Sequence, residues 1–183
     1  MIWRVESPKT MLSRFLSPDK PIGGYVGRRF RQLTAGGGGL AWGGGEEGEM
    51  TLPPLLVSAI ALVRDRRVLM VTARNRDVYY LPGGKIEPGE TAPEAAAREA
   101  SEEVALRLDP AALAGLFEVR TLVHGEPEGR EVHMTVFRAE TEAEPAPAGE
   151  ADSLHWVTSR DADRCPPAGR EVLRLLGEAG VID

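Results

Sequence analysis

Three glutamates, Glu99, Glu102 and Glu103, stand three and four positions apart, the spacing at which side chains share one face of a helix. Like charges at this spacing cost an isolated helix roughly 0.2–0.5 kcal/mol per pair, so a cation that neutralises them would explain the cluster. Carboxylate oxygens are hard ligands that favour Mg²⁺, Mn²⁺ or Ca²⁺ over zinc. A solvated acidic face is the alternative interpretation of these three residues taken alone.

A glycine-rich stretch, residues 81–89, precedes the acidic segment. Glycine permits positive φ and a close approach of the backbone to a ligand, so this stretch can hold phosphate groups. Thr91 and Glu94 have the spacing of a capping box, with Pro93 in the first turn, which predicts a helix that begins near residue 92. A phosphate-binding loop followed by a metal-binding helix indicates hydrolysis of a metal-bound pyrophosphate.

The opposite face of the same helix carries small apolar side chains at helical spacing, namely Ala96, Ala97, Ala100 and Val104. Such a face predicts close packing against a sheet. Arg98 lies four residues from Glu94 and four from Glu102, so its guanidinium can hold a carboxylate in a fixed orientation. We interpret Arg98 as an organiser of the acidic cluster.

Residues 84–106 hold a glycine, a lone glutamate, an Arg-Glu pair and a Glu-Glu pair in register, and this segment resembles the Nudix box of the Nudix hydrolases. Residues 83–87 resemble the MutT-like branch of that family. The likeness continues downstream, over most of residues 54–178. The resemblance implies an α/β fold, an α/β/α sandwich with a mixed sheet, and cleavage of nucleoside diphosphates linked to another group.

The resemblance also implies roles for individual residues. The cofactor would be Mg²⁺, with Mn²⁺ as an alternative, and its ligands would be the carbonyl of Gly83 and the carboxylates of Glu99, Glu102 and Glu103. The same three glutamates would be catalytic, with Arg98 and Glu90 as supports. The substrate would contact Gly84 and Lys85. Tyr80, or its neighbour Tyr79, is a candidate to stack on a base, although a tyrosine in a strand is often simply half-buried.

Two further positions matter for the site. Glu150, six residues before Trp156, matches a loop glutamate that serves MutT-like enzymes as another metal contact or as general base. It lies in a segment rich in proline, alanine and glutamate, residues 144–151, where a solvated charge is an equal alternative. Ala105 stands where the family has glycine, and alanine adopts the left-handed conformation at a cost on the order of 1 kcal/mol. We therefore expect a different helix ending or slight strain there.

The sequence argues against the familiar reader of oxidised guanine. Enzymes that cleanse such nucleotides place a base-reading asparagine after the segment that resembles residues 166–168, whereas this chain has Gly169. Enzymes for dinucleoside polyphosphates carry a tyrosine downstream of the box, and none follows Tyr80. A nucleoside triphosphate or a modified nucleotide is our first choice of substrate. The alternatives are an ADP-ribose-type pyrophosphatase and a Nudix-fold sensor or scaffold that binds nucleotide without cleaving it.

Net charge, cysteine content and hydropathy indicate which classes of partner the protein can have. A net charge of −6 does not attract nucleic acid, so a small nucleotide is favoured over a polymer. The single cysteine, Cys165, excludes an intrachain disulfide and is interpreted as structural. No apolar run approaches the ~20 residues of a membrane span, and the N-terminus lacks the features of a signal peptide. We expect a cytoplasmic protein with no membrane partner.

The first fifty residues differ in kind from the rest, since they hold 11 of the 21 glycines. We expect residues 1–50 to be a disordered extension and residues 51–183 to be the Nudix domain. Codons for residues 43–49 must be almost wholly purine, which resembles a bacterial ribosome-binding site immediately before Met50. Our hypothesis is that the native product begins at Met50.

Alternation of apolar and polar residues predicts the remaining elements. Strands are expected at 55–63 and 68–72 around a turn at 64–66, at 79–81, at 116–124 and 131–138, and at 153–157, and a closing helix at 170–177. The three histidines, His124, His133 and His155, lack a mutual metal-ligand spacing and are interpreted as structural or solvent-facing.

Overall fold

A computed structural model of the chain describes residues 52–73, 76–125 and 129–183. The expected extension and the proposed start at Met50 lie outside the described residues. None of the helices in the described ranges is long and apolar enough to cross a membrane.

Within the described residues, six strands form one mixed sheet. They are β1 (Leu55–Arg64), β2 (Arg67–Ala73), β3 (Gly83–Lys85), β4 (Ala114–Leu122), β5 (Glu131–Ala139) and β6 (Ala151–Val157). The order is β4-β5-β1-β2-β6, and β3 pairs with β1 beside this path. β1 runs parallel to β5 and antiparallel to β2 and β3, so it is the central strand from which the site is built.

Two α-helices cover opposite faces of this sheet, α1 (Ala92–Val104) and α2 (Pro167–Glu178). Short 3₁₀ helices lie at Pro110–Ala112 and Ser159–Arg164. Because side chains alternate along a strand, Ile60 and Leu69 pack in the core under α1, whereas Ala59 and Met70 pack in the core under α2. The predicted α/β/α sandwich is therefore confirmed.

The prediction of a strand at Tyr79–Leu81 is wrong. Tyr79–Leu81 is not a strand, because it forms only a single bridge between Tyr80 and Val71. The strand is Gly83–Lys85, which was predicted to be a loop. A Cβ at Gly83 would lie 2.4 Å from the carbonyl oxygen of Ser58 on β1, so glycine is what allows the two backbones to pair.

The other elements agree with the sequence apart from their ends. The hairpin between β1 and β2 turns through Asp65 and Arg66, with φ of 47° and 57°, as the favoured two-residue turn requires. β4 begins and ends two residues earlier than expected. α2 begins at Pro167 rather than Arg170, because a proline is well suited to the first turn, where its missing N–H costs nothing.

Candidate metal and phosphate site

The start of α1 is fixed by the predicted capping box. Thr91 is the N-cap; its hydroxyl accepts from the Glu94 amide at 3.4 Å, and the Glu94 carboxylate accepts from the Thr91 amide at 2.8 Å. Ser58 Oγ, fully buried on β1, donates to the carbonyl of Ala92. The first turn of the acidic helix is thereby attached to the central strand.

The end of α1 has the slight backbone strain that was one of the two outcomes expected at Ala105. Ala105 lies in the left-handed region, with φ of 55°, where the family has glycine. The amides of Ala105 and Leu106 both donate to the carbonyl of Ala100, so the helix closes despite the alanine. The turn keeps its usual shape at the expense of slight backbone strain.

Arg98 is the centre of a network of carboxylates. Its Nε and Nη2 donate to the two oxygens of Glu90 at 2.9 and 3.1 Å, and Nη2 also donates to the carbonyl of Lys85 at 3.0 Å. Nη1 donates to Glu99 at 2.7 Å and to Glu102 at 3.1 Å. The hydrogen bond from Arg98 holds the pKa of Glu90 below its ordinary value.

The predicted contact from Arg98 to Glu102 is present, but the one to Glu94 is wrong. The Glu94 carboxylate is occupied at the N-cap, where it accepts from both the amide and the hydroxyl of Thr91. Glu90, eight residues before Arg98, takes its place because the loop before α1 folds back toward the helix. Helical spacing alone does not reveal this partner.

The glycine strand lies against the acidic face of α1. An ideal Cβ at Gly84 would lie 2.2 Å from Oε1 of Glu99, so the missing side chain makes room for that carboxylate. Oε2 of Glu103 accepts from the amide of Gly83 at 2.9 Å. Two of the three helix glutamates therefore approach the backbone of β3.

Glu103 is the most perturbed of these acids. Burial is the main cause that raises its pKa to about 7; the negative charges of Glu99, Glu150 and Glu102 act in the same direction, and the hydrogen bond from Gly83 acts in the opposite direction. The four carboxylates therefore act on one another within a single negative patch. Such a patch is stabilised when a cation neutralises it.

The donor set fits a divalent cation of the Mg²⁺ type, since it consists of carboxylate oxygens beside the half-buried glycine backbone of β3. Within residues 52–73, 76–125 and 129–183, no three acidic, histidine or cysteine side chains are already gathered as metal ligands. Nη1 of Arg98 instead neutralises Glu99 and Glu102. A bound cation would take over that neutralisation, while Nε and Nη2 could keep Glu90 and Lys85.

Comparison with known proteins decides the family. The NUDIX domain model matches residues 54–176, more than half of the chain. The chain belongs to the Nudix family. Over 66 residues it is 39% identical to the mouse (Mus musculus) protein "8-oxo-dGDP phosphatase NUDT18", a match that covers 34% of this chain and 20% of that relative. The chain thus spans about a fifth of the length of this curated relative.

Solved structures of Nudix proteins share the fold. The MutT protein from Methanosarcina mazei Go1 has a TM-score of 0.56 and 21% identity, and the match covers 69% of this chain and 95% of that one. A bifunctional NMN adenylyltransferase/ADP ribose pyrophosphatase from Francisella tularensis, complexed with AMP and a Mn ion, has a TM-score of 0.54 and 24% identity, with 70% and 42% covered. The MutT-like resemblance of the box is thereby confirmed at the level of fold.

The remaining predicted site residues of this Nudix chain differ in their exposure and contacts. Lys85 is exposed at the end of β3, and its carbonyl serves Arg98. The half-buried Tyr80 accepts from Arg76 at 3.2 Å through its hydroxyl. Glu150 is exposed immediately before β6, and its charge acts on Glu103.

Tyr79, the other candidate for base stacking, is not available. It is 6% exposed, with the Arg164 guanidinium 4.1 Å from its ring centroid and the His155 ring 4.5 Å away. His155 is partly buried, which lowers its pKa. His133 instead contacts Glu131 at 3.0 Å, and His124 is exposed in a turn. The described histidines therefore form no site together.

Cys165 is buried, as a structural role requires. Its thiol lies 3.7 Å from Sδ of Met70 and 3.6 Å from the carbonyl oxygen of Asp161. Burial raises its pKa to about 11, so the thiolate is scarce at neutral pH. The side chain packs in the core under α2 and is unsuited to nucleophilic chemistry.

The titration of Glu103 yields a prediction for the metal-free Nudix protein. With a folded pKa of about 7 against an ordinary 4.5, the folded state keeps a proton that the unfolded chain releases. The stability that protonated Glu103 contributes to the folded state is therefore lost as pH rises from about 4.5 to about 7. Glu103→Gln should abolish that loss. Urea denaturation in EDTA at pH 5 and pH 8 measures it, and equal pH dependence in the two proteins would contradict the assignment.

Proposed function

We propose that this Nudix protein is a divalent-metal-dependent pyrophosphohydrolase acting on a nucleoside triphosphate or another nucleoside diphosphate derivative. The observation that carries the proposal is the contact between the acidic helix and the glycine strand, in which Glu103 accepts from Gly83 and Glu99 fills the space beside Gly84. This contact supports the proposal because it brings two carboxylates to a glycine backbone, the type of backbone that a phosphate can approach closely. A solvated acidic face would leave such side chains in water.

In this proposal Mg²⁺ or Mn²⁺ is held by Glu99, Glu102, Glu103 and the carbonyl of Gly83. When bound, such a cation neutralises phosphate charge and lowers the pKa of a coordinated water. Arg98 keeps the acidic side chains oriented through its contacts with Glu90 and the backbone of Lys85. The protein's contribution is mainly positioning and charge.

Other residues act on the substrate and on protons. Glu150, exposed at the rim of the patch, is the proposed general base, which accepts a proton from the attacking water. The ammonium of Lys85 is exposed beside the glycine strand, where it attracts phosphate oxygens. The ring of Tyr80 offers a surface for stacking of a base.

The substrate itself is the least determined part of the proposal. The likeness to an 8-oxo-dGDP phosphatase favours an oxidised guanine nucleotide as a candidate. Gly169, however, has no side-chain amide to read a base, and an ideal Cβ there would lie 3.0 Å from the Cβ of Cys165. Recognition of such a base in this protein must use residues at other positions.

A screen of nucleotide hydrolysis tests the function. The substrates are nucleoside triphosphates, 8-oxo-dGDP, 8-oxo-dGTP, ADP-ribose, NADH and dinucleoside polyphosphates, each with Mg²⁺, with Mn²⁺ and with EDTA. Anion-exchange chromatography separates each substrate from its products, so the readout does not depend on a coupling enzyme that EDTA would inhibit. We expect metal-dependent turnover of a triphosphate or modified nucleotide. Nucleotide binding without turnover of any compound would instead support a sensor or scaffold.

A further inference from the structure

Residues 141–150 lie between β5 and β6, and we refer to them as the strap. Arg64 holds the start of the strap. Nη1 of Arg64 donates to the carboxylate of Glu144 at 2.9 Å. Nη2 donates to the carbonyls of Ala143 at 2.7 Å and Thr141 at 3.1 Å. The guanidinium also lies 5.6 Å from the ring centroid of Trp156, so its orientation is fixed from two sides.

The end of the strap is attached to the acidic helix itself. The amide of Ala146 donates to the carbonyl of Val104 at 3.0 Å, and the amide of Ala148 donates to the carbonyl of Glu103 at 2.9 Å. The last carbonyls of a helix have no partner within it, so these bonds complete the end of α1. One of the two carbonyls belongs to a proposed metal ligand.

Gly149 is required by the shape of this attachment. Its φ of 56° is a left-handed conformation, and an ideal Cβ would lie 2.7 Å from the carbonyl oxygen of Glu102. Both facts select glycine, because any Cβ would push the strap away from the helix. The next residue is Glu150, after which Ala151 donates back to Ala148 at 3.0 Å and β6 begins.

We propose that Arg64 and Gly149 are positioning residues that hold Glu150 beside the metal-binding glutamates. The inference rests on the proposed function, since it gives Glu150 a role in that reaction. Arg64 fixes the start of the strap, and Gly149 lets its end lie against α1, so Glu150 directly follows residues that contact the backbone of Glu102 and Glu103. Neither residue belongs to the proposed set of metal ligands and substrate contacts.

The first test replaces Arg64 with alanine and uses Arg67→Ala as the matched control. Arg67 pairs with Arg64 across the hairpin and is exposed, so its loss removes the same charge without releasing the strap. Besides acting as the proposed base, Glu150 brings a negative charge close to the cation site, and this charge attracts the cation without direct coordination. In Arg64→Ala we therefore expect kcat to fall on the order of tenfold at nearly unchanged KM, and Mn²⁺ affinity measured by calorimetry to fall by a similar factor. Hydrogen exchange of the amides of Ala146 and Ala148 should accelerate. Arg67→Ala should match the wild type in all three.

The second test compares Gly149→Ala with Gly180→Ala. Gly180 also has a positive φ, 68°, but a Cβ there meets nothing within 4 Å, so this control isolates backbone strain. Gly149→Ala should reproduce the loss of kcat and Mn²⁺ affinity seen for Arg64→Ala, again on the order of tenfold. Gly180→Ala should lower only the melting temperature.

The outcomes separate the two proposals. If Arg64→Ala and Gly149→Ala retain wild-type kcat and Mn²⁺ affinity, the positioning role is wrong. This holds even if the amides of Ala146 and Ala148 exchange faster in these variants. If the wild type binds Mn²⁺ but hydrolyses no compound in the screen, the proposed function fails, and Mn²⁺ affinity alone then decides whether the strap positions Glu150. The inference would also be overturned if Gly149→Ala lost only as much melting temperature as Gly180→Ala and showed no other change.

Discussion

Replacing Glu103 with glutamine is expected to lower kcat by about 10³-fold while the protein stays folded. Glutamine has the same shape, and its amide oxygen can still accept from Gly83, so the contact between α1 and β3 survives. The change removes a carboxylate that would be ionised once the cation binds, because metal binding releases its proton. Steady-state kinetics with saturating Mg²⁺, together with a melting curve, measures both parts of this expectation.

Glu178→Gln is the matched control for this variant. Glu178 is exposed on α2, where it pairs with Arg174, far along the chain from the acidic cluster. Its replacement should leave kcat unchanged, because Glu178 does not belong to the proposed site. Loss of its exposed ion pair should lower the free energy of unfolding by only about 0.3–0.5 kcal/mol. Near-full Mg²⁺-dependent turnover by Glu103→Gln would show that the acidic helix is not the catalytic element.

Alanine at Gly84 should mainly lower kcat, whereas alanine at the neighbouring Gly83 should mainly lower stability. In Gly84→Ala the new Cβ meets the carboxylate of Glu99, which is the end of a flexible side chain and can move away. We expect a fall in kcat of about 100-fold, because the displaced carboxylate loses its position, with little change in melting temperature. In Gly83→Ala the Cβ meets backbone of Ser58 and Ala59, which cannot move without separating the strands.

Gly83→Ala should therefore lose about 1–3 kcal/mol of unfolding free energy through overpacking. Kinetics and urea denaturation of both variants, side by side, check the contrast. A Gly84→Ala protein with wild-type kcat would mean that the observed position of Glu99 is unimportant for turnover. Unchanged stability in Gly83→Ala would contradict the close pairing of β3 with β1.

Elements with local signals could be predicted from the sequence. The helix α1 begins at Ala92 because Thr91 and Glu94 complete a capping box within four residues. The β1–β2 hairpin follows from two apolar runs and a turn of two residues. The Nudix box also fixed the fold, since it carries the family's spacing of glycine, arginine and glutamate.

Features that depend on distant contacts were missed. Glycines that permit positive φ and close approach to a ligand predict a loop at Gly83–Lys85, yet these residues pair with β1, and the pairing depends on the absence of a Cβ. The bond between Arg98 and Glu90 follows from the fold of the loop rather than from helical spacing. The proline and glutamate content of residues 144–151 leaves a solvated charge and a site residue as equal interpretations of Glu150, and it does not predict that Arg64, 80 residues before Glu144, holds the strap.

The burial of Cys165 makes this protein convenient for spectroscopy. It is the only cysteine in the sequence, and its thiol is enclosed against Met70 with a raised pKa, so alkylating reagents react slowly with the folded protein. A cysteine introduced on the exposed surface, for example at Glu142, would therefore accept a nitroxide or fluorophore selectively. Distances from such a label to bound Mn²⁺ could then be measured without first removing the native thiol.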